Sequence, residues 1–316
     1  MAREIQLVAV QMGLSLDDYW SRKAFQEKIG KTVDAVKQAI DPSVPTLVAY
    51  PEDVGLMLVL QGLNDELSHV TTVAEAIARA TRTLFWPALG RRIVHRLSWV
   101  PALFLTRHRL IAETYFDVFS NAARTLGAYL VAGSVVLPKY RVDQGRVLWD
   151  QKPLDPQVYN TAYVFDPSGQ VVGEQRKVYL IDLEMRAALD LAAGTIDELT
   201  VVETPLGKLG VAICLDCFQD DVAHRLKGLG AQILVQPSAN PAPWTSEQQV
   251  EWLESAYRRT HLEKLFAYAV NPMMTGSLWD LGFFGQSSIV GQDGVLRQAA
   301  TADGEEILVV RTRGVA

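Results

Sequence analysis

Cysteine is scarce in this chain of 316 residues: Cys214 and Cys217 are the only two, and both lie in the stretch VAICLDCFQDD, residues 211–221. So few thiols exclude a disulfide framework and fit a reducing compartment. Net charge is −6, so the chain has no overall basic character and no nucleic-acid partner is expected. No apolar run approaches the roughly 20 residues needed to span a bilayer. The opening MAREIQLVAVQM lacks the apolar core and small-residue cleavage site of a secretory leader. Internal repeats, low-complexity tracts and Ser/Gly linkers are missing too. Together these absences predict a soluble, cytoplasmic protein with a single domain over residues 1–316.

One absence is local. From Ala76 to Ala112 there is no Asp or Glu, yet Arg79, Arg82, Arg91, Arg92, Arg96, Arg107 and Arg109 fall there, among Leu, Ile, Phe and the tryptophans at 86 and 99. Pro87 and Pro101 divide this segment into three short helices. It is the make-up of a helical lid, an oligomer contact or an element lying on a membrane surface.

What is present is a series of short apolar runs of strand length: Ile5–Val10, Thr46–Tyr50, Ala128–Val136, Ala162–Phe165, Thr200–Val202, Leu209–Cys214, Gln232–Gln236, Phe266–Val270, Ser287–Val290 and Ile307–Val310. Turn signals predict hairpins at Ser168-Gly169 and around Pro205-Leu206-Gly207. Amphipathic helical patterns cover Ser21–Ala39, Ser120–Thr125 and Glu247–Lys264. Alternating strands and helices, with hairpins, give an α/β fold with a mixed sheet or two packed sheets.

The pair of cysteines admits four readings: inert core thiols, half a metal site, a redox couple, or one nucleophile with a bystander. A zinc site needs about four ligands, and C-x-x-C with only His224 nearby does not supply them. Asp216, Asp220 and Asp221 oppose the lowered thiol pKa that redox chemistry requires. A nucleophilic thiol needs a base and an oxyanion donor. Two strand ends offer them. VPTLVAYPEDVG (44–55) runs from an apolar strand into Glu52 and Asp53, and YNTAYVFDPSGQVVGEQRKVYL (159–180) delivers Arg176 and Lys177. Carboxyl ends of strands are where α/β sheets place their sites.

These stretches, with IQLVAVQM at the start, GKLGVAICLDCFQDD around Cys214, GAQILVQPSANPAPWT (230–245) and GFFGQSSIVGQDG (282–294), resemble the blocks of the nitrilase, or carbon–nitrogen hydrolase, superfamily in order. The resemblance covers nearly the whole chain except roughly residues 58–120, which it marks as holding a helical insertion. It implies a four-layer αββα sandwich, paired in a homodimer or larger homo-oligomer. It also implies Cys214 as nucleophile, Cys217 as bystander, Glu52 as base, and Lys177 with the backbone N–H of Leu215 as oxyanion donors. Glu184, with Asp190 as its rival, fits a second carboxylate that many relatives carry. Asp216 ties its loop to backbone amides. Asn240 and Trp244 are expected to line the pocket or to pack beside it. The chemistry implied is hydrolysis of a small linear amide or carbamoyl C–N bond through a thioester, with no metal or cofactor. A nitrilase and an N-acyltransferase share the triad, and an inactive binding protein is the alternative of a different class. Residues 76–112 carry the expectation of peripheral membrane contact.

Overall fold

The computed structural model describes residues 4–186 and 188–315. The first strand, β1 (Glu4–Leu14), alternates strictly: Ile5, Leu7 and Ala9 enter one apolar cluster, while Val8, Val10, Met12 and Leu14 enter another. A strand with two buried faces requires a layer on each side, and that sets the architecture.

β1 lies beside β2 (Thr46–Ala49), and β2 beside β3 (Tyr129–Pro138), all parallel. The antiparallel β4 (Val158–Phe165) and β5 (Val171–Arg176) complete that flank. On the other side of β1 run Met273–Leu278, in parallel, and Glu306–Arg313, antiparallel. This nine-stranded sheet faces a six-stranded one whose centre is parallel: β6 (Val201–Thr204), β7 (Gly207–Val211), β8 (Ile233–Val235), Tyr268–Asn271, Ser288–Gly291 and Gly294–Gln298. Between the sheets, Ile5, Leu7, Leu47 and Val164 from the first meet Leu209, Val211, Ile233 and Val235 from the second. Helices cover both outer faces. α1 (Arg22–Ala39), capped by the Ser21 hydroxyl on the Ala24 N–H, buries Phe25, Ile29, Val33 and Val36 against the first sheet. Opposite, Val222 and Leu226 of the helix Asp220–Gly228 join Ala256 and Phe266 over the second. The result is the expected αββα sandwich.

The Arg-rich stretch forms α2 (Val73–Thr83), α3 (Phe85–His95) and α4 (Trp99–Leu126). The expectation of three short helices holds for the first two only. Pro101 sits in the first turn of α4, where backbone N–H groups have no intrahelical partner, so it starts the helix instead of breaking it. α4 then runs 28 residues to Gly127, absorbing Ser120–Thr125. The pattern over Glu247–Lys264 is also interrupted. The helix Ser246–Trp252 passes into a π-helical segment with non-helical backbone at Ser255, where the buried Gln236 side chain takes the N–H of Ala256 (3.2 Å). Among the described residues no helix is long and apolar enough to cross a membrane.

One bulge positions the site. β3 shifts register between Val131 and Ser134, and Gly133 there has φ +65°. The chain leaving β2 settles into this bulge: Asp53 donates its N–H to Ser134 Oγ (2.9 Å) and Gly55 to the Ser134 carbonyl (2.9 Å). A Cβ on residue 133 would stand 1.9 Å from the Pro51 carbonyl oxygen. Gly133→Ala is therefore expected to cost about 2–4 kcal/mol, from overpacking and left-handed backbone together. It should also displace Glu52. Thermal unfolding and turnover check this; an unchanged Tm would show that the crossing yields freely.

Candidate active site

Three strand ends from two sheets converge. Glu52 follows β2, Lys177 follows β5, and Cys214 follows β7 of the facing sheet. All three side chains are buried. Lys177 Nζ lies 2.7 Å from Glu52 Oε1 and 2.7 Å from Glu184 Oε2, so it is Glu184 that meets the lysine. Asp190, whose backbone is left-handed at φ +53°, makes no ion pair with Lys177 among the described residues. Asn160 on β4 donates from Nδ2 to Glu52 Oε1 (3.0 Å) and to Glu184 Oε1 (2.7 Å), holding the two carboxylates about one ammonium. The second oxygen of Glu52 accepts from the Ala239 N–H (3.2 Å), and that of Glu184 from Ile181 N–H (3.0 Å).

The electrostatics follow from this packing. Burial raises the Glu52 carboxyl above its ordinary range, against the pull of Lys177 and with a further push from Glu184. Burial alone would lower the Lys177 ammonium, but Glu52, Cys214 and Glu184 around it raise it well above normal. The Cys214 thiol is raised well above normal by burial and by Glu52, more than Lys177 can offset. The resting group is a neutral thiol, which needs a base to become a nucleophile.

Cys214 sits at φ +48°, a left-handed conformation that a non-glycine residue holds only when its surroundings enforce it. Its N–H goes to the Pro237 carbonyl (2.9 Å), so the next amide along the turn is that of Leu215. Two buried groups fix this turn. Asp216 accepts from Val178 N–H (3.1 Å) and Tyr179 N–H (2.7 Å), tying the cysteine turn to the residues just after Lys177. Burial pushes its carboxyl up to about 7, while those two amides pull it down. Arg259, fully buried, donates to the carbonyls of Cys217 (3.1 Å) and Phe218 (2.7 Å) and pairs with Asp220 (2.6 Å) and Glu263 (3.0 Å).

The two cysteines face different layers. Cys214 belongs to the core between the sheets, and Cys217 to the outer cluster with Val222 and Leu226. Both are free thiols. Cys214 opens onto a hollow of about 420 Å³ walled by Ile181, Leu215, Phe218, Ala239, Pro241 and Trp252. Asn240 borders it, but its side chain is committed to backbone: Nδ2 donates to Ala242 O (3.0 Å) and Phe284 O (3.1 Å). Trp244 lines a neighbouring hollow and stands behind Trp252 (ring centroids 5.8 Å), its N–H on Gln286 (3.1 Å). Trp252 and Phe218 are the aromatic wall beside Cys214. Across the Glu184 loop lies a second apolar hollow of about 450 Å³, walled by Leu56, Val73, Ile77, Leu103, Phe104 and Leu189.

Neither Asn160 nor Arg259 is marked out by the sequence pattern. The signal for Asn160 was a lone amide in the apolar strand VYNTAYVF; for Arg259, only its distant contacts mark it.

Of solved structures, Saccharomyces cerevisiae Nit3, a member of branch 10 of the nitrilase superfamily, superposes with TM-score 0.65 at 19% identity, over 98% of this chain and 90% of that one. An amidase from Nesterenkonia sp. gives 0.59 at 18% identity, over 99% and 92%. Among sequences, omega-amidase NIT2 of Xenopus tropicalis is 31% identical over 147 residues, 43% of this chain and 47% of that protein. A Pseudomonas protegens hydrolase encoded in the pqqF 5′ region is 28% identical over 219 residues, 67% of this chain and 70% of that one. The chain thus spans about half the length of the NIT2 relative. The sequence model of the carbon–nitrogen hydrolase family matches residues 20–313, and the chain belongs to that family.

Proposed function

We propose that the protein hydrolyses the C–N bond of a small, neutral amide or carbamoyl compound through a thioester on Cys214. The reading rests on the buried meeting of a neutral thiol, a carboxylate of raised pKa and a lysine at the ends of three strands. Glu52 takes the Sγ proton as sulfur attacks the carbonyl carbon. The negative charge that develops on oxygen is held by Lys177 and the Leu215 N–H; a preorganised donor of this kind lowers the barrier by ~3–4 kcal/mol. Glu52 returns the proton to nitrogen as the C–N bond breaks and the amine leaves. It then deprotonates the water that opens the thioester, releasing the acid and restoring the thiol. Glu184 and Asn160 hold Lys177 and Glu52 in register.

The walls of the hollow speak to the acyl group. Ile181, Leu215, Phe218, Pro241 and Trp252 are apolar or aromatic, and the charged groups bordering it, Glu251 and Glu254, are acidic and exposed. Such a site favours an uncharged acyl group over one bearing a carboxylate. The test is to quench turnover in acid and weigh the Cys214 peptide by mass spectrometry across a series of amides. An acyl adduct on Cys214, accumulating with neutral acyl groups, is the expected result. Turnover with no adduct, or with one on Cys217, would overturn the thioester; preference for anionic acyl groups would overturn the substrate class alone.

A further inference from the structure

We infer that α3 docks on an anionic phospholipid surface. Helical geometry places Trp86, Gly90, Ile93 and Val94 within about 100° of one another around the axis. That face looks outward: Trp86 is 78% exposed, Ile93 66% and Val94 72%. The opposite side anchors the helix. Ala88 is buried, the Phe85 ring leans on Trp99 (5.4 Å), and the Arg92 guanidinium lies over the same indole (4.9 Å). An apolar stripe turned away from the core by a helix that is otherwise held has no partner among the described residues.

The charge around the stripe says what covers it. Arg91 is exposed on α3 and Arg96 at its C-terminal cap, flanking the stripe, and Arg82 is exposed near the end of α2. Among the described residues, none of the seven arginines between positions 76 and 112 pairs with a carboxylate. Arg79 and Arg107 turn to backbone carbonyls of Glu66 and Gln61 and Arg92 lies over Trp99, leaving Arg91 and Arg96 beside the stripe with no carboxylate among the described residues. In a protein of net charge −6, a second copy of this face would meet like charge at the contact. An anionic headgroup layer answers both features: guanidinium groups meet phosphates while Trp86, Ile93 and Val94 enter the acyl boundary.

The experiment is sedimentation of the full chain with vesicles of phosphatidylcholine alone or of phosphatidylcholine with phosphatidylglycerol, at low salt. The chain should pellet with the anionic vesicles, stay in the supernatant with the neutral ones, and be released by high salt. Arg82→Gln and Arg91→Gln should each lower the partition coefficient about fivefold. Ile93→Ser with Val94→Ser should abolish pelleting, while hydrolysis of a soluble amide by these surface variants stays unchanged. Equal recovery in both supernatants overturns the inference. So does an oligomer in solution that Ile93→Asp converts to monomer, since the stripe would then be covered by a second copy.

Discussion

Cys214→Ala is expected to lower turnover by at least about 10⁴-fold while leaving the fold intact, the scale seen when a covalent nucleophile is removed and binding is retained. The substitution is sterically mild. The side chain is small, lies at a strand end, and donates only weakly through its thiol to the Ala239 carbonyl at 3.9 Å. Alanine tolerates the left-handed backbone about as poorly as cysteine does, so the strain at φ +48° is unchanged. Cys217→Ser supplies the contrast. That residue lies in the outer cluster, away from the core between the sheets, and burial keeps its thiol protonated. Burying a hydroxyl there costs about 1–3 kcal/mol of stability. Turnover per folded molecule should nevertheless stay within a few-fold of normal. Steady-state kinetics with a Tm measurement on both variants decides the matter, and a reversal of the two results would exchange the roles of the cysteines.

The apolar strands were legible because each buries at least one face, so side-chain alternation or a continuous apolar run survives in the sequence. The apolar run Ile5–Val10 covers only part of β1, because Gln11 ends it, a buried glutamine whose amide donates to the carbonyls of Thr301 (2.7 Å) and Gly304 (3.0 Å). Met273–Leu278 was missed for the same kind of reason, since Thr275, Gly276 and Ser277 hide the pattern of a strand that pairs on both sides. The charges at strand ends were visible as abrupt changes from apolar to ionic. Their partners were not. Asn160 gains its place only when β4 brings it beside Glu52, 108 positions away. Arg259 reads as one more charge on an amphipathic helix, yet the π-helical segment turns it inward onto the carbonyls of the cysteine turn. Spacing favours Glu184 over Asp190 only loosely; in the fold it is Glu184 that reaches Lys177, in a turn that folds back through Leu191 N–H to the Glu184 carbonyl (2.9 Å).

Lys177→Met should lower kcat by at least about 10²-fold, and it should destabilise the protein as well. The second effect must be separated from the first. With the ammonium gone, Glu52 and Glu184 remain buried side by side without a cation, a loss of about 3–5 kcal/mol. One of them then takes up a proton, and if Glu52 does so the base is lost along with the oxyanion donor. Pairing the change with Glu184→Gln removes one of the two buried charges and should restore much of the Tm. It should not restore kcat, because no donor replaces Nζ. Glu52→Gln is the companion variant. Its amide still accepts from Asn160 and fills the same volume, but it cannot take the Sγ proton, so kcat should again fall by at least ~10². The pH profile adds an independent sign. Burial raises the Glu52 carboxyl, so the acid limb of kcat/KM should lie at higher pH than an ordinary glutamate would give, with activity lost as pH falls and Glu52 is protonated. That limb should vanish from the residual activity of Glu52→Gln. Near-normal kcat in Lys177→Met/Glu184→Gln, or an unchanged acid limb in Glu52→Gln, would remove these two residues from the chemistry and leave them as the ion pair that closes the site.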